Sequence, residues 1–246
     1  MPLIYKTPGI ILKKQDFAES DRILYVLTPE LGKIKVISKG GRKDKIGGFG
    51  LFDSFSELLF LLDRGRNFDR CAEVSALRLF PSIASDYEAV VLASYFCEAA
   101  YVSVPFMCGD GGVYALLKRI LGAIDGGAGL EMLPSGLYFI MRNAGCAPLL
   151  SSCCSCGSGE DLRFFGVPEG GLLCSSCAAG EGRRPLGDEV ARLLRAVPFV
   201  RAEALGRSFS RESFLDAEEA LRAVFVYHFG VPLRAASFLG SLGRGM

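Results

Sequence analysis

Hydrophobic and polar positions along the chain change their period once. Up to residue 80 the apolar residues come in short, often β-branched runs: Leu3–Lys13, Arg22–Leu27, Lys33–Ser38, Ser54–Leu62 and Cys71–Leu79. Pro29 with Gly32, Gly40 with Gly41, and Gly65 with Asn67 separate these runs, so the pattern predicts five strands. Thr28–Gly32 fits a hairpin turn. Lys33–Lys39 alternates polar and apolar for most of its length, as a strand does when one face is buried and the other, here basic, is wet. Five such strands predict a small barrel, and an OB-fold is the expected form.

Past Pro81 the spacing becomes helical. Tyr87–Tyr101 sets Val90, Val91, Ala93, Ser94, Cys97 and Ala100 on one broad stripe, and Val113–Ile124, Ser135–Ala144, Asp188–Ala196 and Glu212–Phe229 continue in that style. Between Leu149 and Glu181 the periodicity vanishes, and Cys, Ser and Gly dominate. The expected fold class is α+β in two domains. An OB-fold β-barrel spans residues 1–80, and an α-helical domain with a zinc-knuckle segment at about 149–181 spans residues 81–246. No internal repeat is present.

A chain of 246 residues with half of them hydrophobic can bury a sizeable core, which excludes global disorder. The net charge of +1 says little, but its distribution is uneven. Residues 1–80 hold 14 Lys/Arg against 10 Asp/Glu, and the remainder holds 14 against 17. A basic first third predicts that this part meets a polyanion. The opening MPLIYKTPGIILKKQ lacks the pattern of a secretory signal, and no apolar run approaches the roughly 18 residues of a membrane span. A cytoplasmic protein with no membrane association is therefore expected. Nine cysteines, an odd number without a signal, argue for reduced thiols rather than a disulfide framework.

Four of those thiols have metal-ligand spacing. Cys153-x2-Cys156 and Cys174-x2-Cys177 stand 17 residues apart, and two such turns bring four soft ligands to one tetrahedral point. Gly157 suits the positive φ a knuckle needs. A closed four-cysteine site leaves no position for water, so one structural Zn2+ ion is the expected cofactor. Cys154 could pair with Cys156 in place of Cys153, but a one-residue spacing closes the turn poorly, so Cys154 is read as spare. Cys71, Cys97, Cys108 and Cys146 fall outside the pattern and read as small hydrophobes.

The second constellation is basic. Lys33, Lys35, Lys39, Arg42, Lys43 and Lys45 are interrupted by a single acid, Asp44, and Gly40-Gly41 and Gly47-Gly48 let the chain follow a phosphate backbone. Phe49, Phe52 and Phe55 could stack on unpaired bases, though barrel core is their plainer use. Catalytic signatures are missing: no G-x-x-x-x-G-K-[ST], no H-E-x-x-H, no G-x-S-x-G, and one histidine, His228, at the end of a helical pattern. No enzyme is expected. A zinc-dependent nucleic-acid enzyme and a zinc-stabilised protein-binding scaffold remain as the alternative readings.

Taken in order, these segments resemble the RecO family. Tyr5–Leu12, Glu19–Leu24 and Leu31-Gly32-Lys33 are similar to its N-terminal domain, and Ser38–Lys43 to its basic loop. Leu149–Gly157, Gly170-Gly171 and Cys174–Cys177 resemble its zinc segment, and His228-Phe229-Gly230 through Ser237-Phe238-Leu239 its C-terminal signature. The resemblance implies an OB-fold, a helical domain and zinc. It further implies a mediator of recombinational DNA repair that binds single- and double-stranded DNA and anneals complementary strands. With RecR, such a mediator helps RecA load onto strands coated by single-stranded-DNA-binding protein. Nucleoid association in a bacterial cytoplasm follows from the same likeness.

Overall fold

In a computed structural model the chain is described over residues 4–40, 55–109, 111–180 and 182–242. Five strands close on themselves in the order β1-β2-β3-β5-β4: β1 is Ile4–Phe17, β2 Asp21–Thr28, β3 Gly32–Ser38, β4 Ser56–Asp63 and β5 Asp69–Leu79. Every pairing is antiparallel except the closing pairing of β3 with β5, where Val36 faces Asp69 and Ile37 faces Arg70. This is the barrel the five apolar runs predicted. Alternation drives it: Leu24 and Val26, Ile34 and Val36, and Leu58, Phe60 and Leu62 point inward and are almost wholly buried. The Thr28 hydroxyl closes the β2–β3 hairpin, donating to the Gly32 carbonyl at 3.0 Å and accepting from the Leu31 N–H at 3.2 Å.

Two helices complete the first compact unit, Met1–Gly127. Helix α1, Tyr87–Ser103, starts where the Asp86 carboxylate accepts the Ala89 N–H at 2.8 Å, and α2 is Gly111–Asp125. Helix α1 packs on β1, and α2 meets β2. Glu57 of β4, buried, accepts from the Tyr114 hydroxyl at 2.6 Å and from Lys118 Nζ at 2.8 Å, both on α2. Burial, and then this bond, hold the Tyr114 phenol well above its usual range. Strand-to-helix change and compactness therefore mark different places. The period changes at Pro81, but the first two helices belong with the barrel because a buried carboxylate and apolar faces tie them to it.

The second unit, Ala128–Met246, holds helices α3, Met132–Asn143, α4, Asp188–Ala196, α5, Ala202–Leu205, α6, Arg211–Phe229, and α7, Leu239–Leu242. Helix α6 packs on α3 and α4. It begins at the Ser210 cap and ends at Gly230 with φ +67°, leaving His228 in its last turn where a cation suits the helix dipole. The stretch without periodicity is ordered: β6, Leu162–Gly166, sits between β7, Gly171–Cys174, and β8, Arg183–Pro185. Leu162, Phe165, Leu172 and Leu173 are buried on this small sheet, Leu172 and Leu173 on opposite faces of β7, and α4 packs on β6. Strands of three to five residues are too short to show a period, which is why the sequence pattern hides them. No helix among the described residues is long and apolar enough to cross a membrane.

Candidate functional site

On the outside of the barrel, strand register builds a row of alternating cations and rings. Lys13 of β1 is paired with Tyr25 of β2, and Tyr25 with Lys35 of β3, so the three side chains share one face. The end of α1 adds Tyr101, whose ring meets Tyr25 edge-on with centroids 5.2 Å apart. The following segment adds Phe106, 6.2 Å from Tyr25. Gly32 makes that approach possible. Its φ is +64°, and a Cβ there would lie 2.1 Å from the Cys108 carbonyl oxygen. The 106–108 segment can thus lie along β3, where the Met107 N–H donates to the Lys33 carbonyl at 3.0 Å.

The turn between β4 and β5 closes the other side. Buried Asp69 accepts from the Gly65 N–H at 2.9 Å and from the Tyr5 hydroxyl, which fixes the turn. Arg64, Arg66 and Asn67 are then exposed, and Phe68 is half-buried against Phe17 with centroids 6.3 Å apart. Between this turn and Phe106 runs a groove of about 420 Å³ lined by Lys35, Arg64, Arg66, Asn67, Phe68 and Phe106. Lys35 Nζ faces both rings, 4.9 Å from the centroid of Phe106 and 6.0 Å from that of Phe68.

The basic residues singled out in the sequence divide. Lys35 stands in the groove, and Lys39 is exposed at the end of β3. Arg42, Lys43 and Lys45 lie outside the described residues, as do Phe49 and Phe52, whereas Phe55 is half-buried. Lys33 departs from the expectation of a wet basic face. It is 5% exposed, donates from Nζ to the Tyr101 carbonyl, and lies 4.3 and 4.4 Å from the Tyr101 and Phe106 rings. Strand alternation placed it outward correctly, but the end of α1 covers that spot.

Burial, with a smaller push from the charge of Lys35, lowers the Lys33 ammonium to about 8. The unfolded chain therefore holds this proton more tightly than the folded one. Stability should rise with pH from about 8 toward the ordinary lysine value near 10.4. Urea melts of the wild type and Lys33→Met across that window should show the wild type gaining relative to the variant. Parallel curves would remove the assignment.

Arg64, Arg66, Phe68, Lys13, Tyr25 and Phe106 went unrecognised in the sequence. The Arg64–Asn67 turn read only as a breaker, although the β4–β5 loop of an OB-fold borders its binding face and could have flagged it. Phe106 reaches the face only through tertiary packing.

In the second unit the Cys153, Cys156, Cys174 and Cys177 sulfurs all lie within 4.8 Å of one another. Cys156 Sγ and Cys174 Sγ are 3.7 Å apart, close to the roughly 3.8 Å edge of a tetrahedron with 2.3 Å metal–sulfur bonds. Each knuckle is a tight turn: the Gly157 N–H donates to the Cys153 carbonyl at 2.9 Å and the Cys177 N–H to the Cys174 carbonyl at 3.0 Å. Gly157 takes φ +78°. Strand β7 is brought under the first knuckle by Gly171, whose φ is +155° and where a Cβ would meet the Leu149 carbonyl oxygen at 2.2 Å. Burial works to raise the Cys153 thiol, but backbone N–H groups of Cys174, Cys156 and Ser155 outweigh it and bring the thiol down to about 6. Cys177 is pushed up to about 12, first by its hydrogen bonds to Cys156 and Cys174. The donor set and its spacing fit one structural metal ion. Cys154 stays outside the cluster, its N–H donating to the Leu172 carbonyl at 2.9 Å.

Comparison with known proteins gives a consistent picture along the chain. A family model described as recombination protein O N terminal matches residues 1–80, and one described as recombination protein O C terminal matches residues 84–236. A protein named DNA repair protein RecO from Anaeromyxobacter sp. (strain K) is 32% identical over 97% of this chain and 96% of its own. Its namesake from Synechococcus sp. (strain JA-2-3B'a(2-13)) is 30% identical over 96% of this chain and 89% of its own. One from Desulforudis audaxviator (strain MP104C) is 29% identical over 97% of each chain.

Proposed function

The chain belongs to the recombination protein O family, whose curated members compared above are DNA repair proteins, and on that premise we propose that it is a non-catalytic DNA-binding recombination mediator. It binds single- and double-stranded DNA on the barrel face, promotes annealing of complementary strands, and works with RecR to assist RecA loading on strands covered by single-stranded-DNA-binding protein. The observation that carries this reading is the row of Lys13, Tyr25, Lys35, Phe106 and Phe68 beside Arg64 and Arg66. Cations interleaved with accessible rings suit a polynucleotide of any sequence.

Annealing then needs no nucleotide cofactor. Phosphates neutralised on one protein surface lower the repulsion between two strands and raise their local concentration, so pairing is faster. The four cysteines hold Zn2+ in this reading, because four soft thiolates at tetrahedral spacing select it, and a closed site of this kind stabilises rather than reacts. Labelled complementary strands should anneal faster with the purified protein, with no ATP hydrolysis and no strand cleavage. Turnover that persists through further purification and disappears in a point variant would replace the mediator with an enzyme.

A further inference from the structure

We propose that the groove between Phe68 and Phe106 is a subsite for one unpaired nucleobase, so that the barrel face distinguishes single strands from duplex by stacking rather than by charge. This rests on the DNA-binding reading above and deepens it. The barrel has no need of these rings: its interior is filled by side chains such as Phe60, which is wholly buried. Phe106 is instead 43% exposed and the neighbouring Met107 59%, apolar surface that a partner would cover. Phe68 packs on Phe17 and Phe106 on Tyr25. The Lys35 ammonium stands in the groove between them, 6.0 Å from the Phe68 centroid and 4.9 Å from that of Phe106. An entering base would displace it toward the flanking phosphate.

Charge in the groove has one accessible sign. Lys35, Arg64 and Arg66 line it, and Asp69, the single acid among the described lining residues, is buried with its oxygens engaged by Tyr5 and Gly65. Phosphates flanking an inserted base would meet these cations, and Asn67 offers both a donor and an acceptor to a base edge. A base in a duplex has both faces covered by its neighbours, so only an unpaired base can present a π face to Phe68 or Phe106.

The test compares oligothymidylate with a duplex of equal length by fluorescence anisotropy. Changing Phe68 and Phe106 together to Leu keeps the groove apolar but removes the rings. Single-strand affinity should fall by about tenfold, the lower part of what one stacked base contributes. Duplex affinity should change less than twofold, and the salt slopes should not move. Tyr at both positions should restore single-strand binding. On the wild type, an oligonucleotide carrying 2-aminopurine should lose fluorescence on binding, a readout independent of whether the Leu variant folds. Equal losses for single strand and duplex, no loss for either, or no quenching overturns the stacking subsite. The parent reading fails separately: it falls if Lys35, Arg64 and Arg66 changed together to Ala leave both affinities unchanged.

Discussion

Changing Cys174 or Cys177 to Ser should release the metal and melt the small sheet of the second unit, whereas Cys154→Ser should do neither. The sheet has strands of five, four and three residues, so it depends on its packing against α4 and on whatever ties its loops together. Its buried apolar side chains, Leu162, Phe165, Leu172 and Leu173, are divided between its two faces and amount to far less than a self-sufficient core requires. In the proposed zinc-bound form the remaining stabilisation would come from the ion. Structural zinc in small modules contributes about 10–16 kcal/mol at neutral pH, more than the whole stability of many domains. The thiols alone cannot replace it, since lowering Cys153 to about 6 goes with raising Cys177 to about 12. Hydrogen bonds to Cys156 and Cys174 are the first cause that keeps the Cys177 proton on, and a bound divalent cation would displace it. Metal binding therefore expels protons, and the ion should leave as pH falls and the thiolates protonate. Cys156 is exposed, so chelators can reach the site. Elemental analysis should give one zinc per wild-type chain, and thermal melts should drop in the Cys174 and Cys177 variants alone. Protein prepared without chelators that contains no metal, or a Cys174→Ser protein that retains it, would defeat this account.

The contrast with the barrel explains what the sequence disclosed. Strands β2 and β3 were legible nearly to their ends because Leu24, Val26, Ile34 and Val36 alternate with outward residues along one buried face. Helix α4 was legible over its full length, Asp188–Ala196, because Val190, Leu193 and Leu194 fall at helical spacing. The clustering of the four cysteines was legible because Cys-x2-Cys spacing shows without any periodicity. Strands β6 to β8 were not, since three to five residues are too few to show a period. The basic face was legible in half. Alternation says which way Lys33 points but not that Tyr101, 68 positions later, will lie over it. Arg64 and Arg66 reach the same groove as Lys35 from the far end of the barrel sequence, and nothing local joins them.

That groove sets the last expectation, which concerns salt. Lys35, Arg64 and Arg66 changed together to Ala should weaken DNA binding and flatten its dependence on ionic strength. Each phosphate left without its cation should lower the slope of log affinity against log salt by about 0.7 on a single strand and 0.9 on duplex. Removing all three cations should lower the slope by about two on a single strand and by nearly three on duplex, large enough to resolve. Base sequence should not matter, because phosphates carry none. Annealing should slow in proportion, since the same charges gather the two strands. Zinc content and thermal stability should remain near wild type, because exposed Arg and half-exposed Lys side chains contribute little to folding. Lys39, Arg42 and Lys43 changed together to Ala test the other part of the basic run, and the groove account needs no change there as large as at Lys35, Arg64 and Arg66. Lys33→Met is the internal control. Its ammonium is 5% exposed and bonded to the Tyr101 carbonyl, so it touches no phosphate and its removal should leave the slope alone. Anisotropy titrations of the wild type and these three variants over a salt series decide the matter. A slope that falls in Lys33→Met but not in the Lys35, Arg64 and Arg66 variant would move the DNA away from this groove.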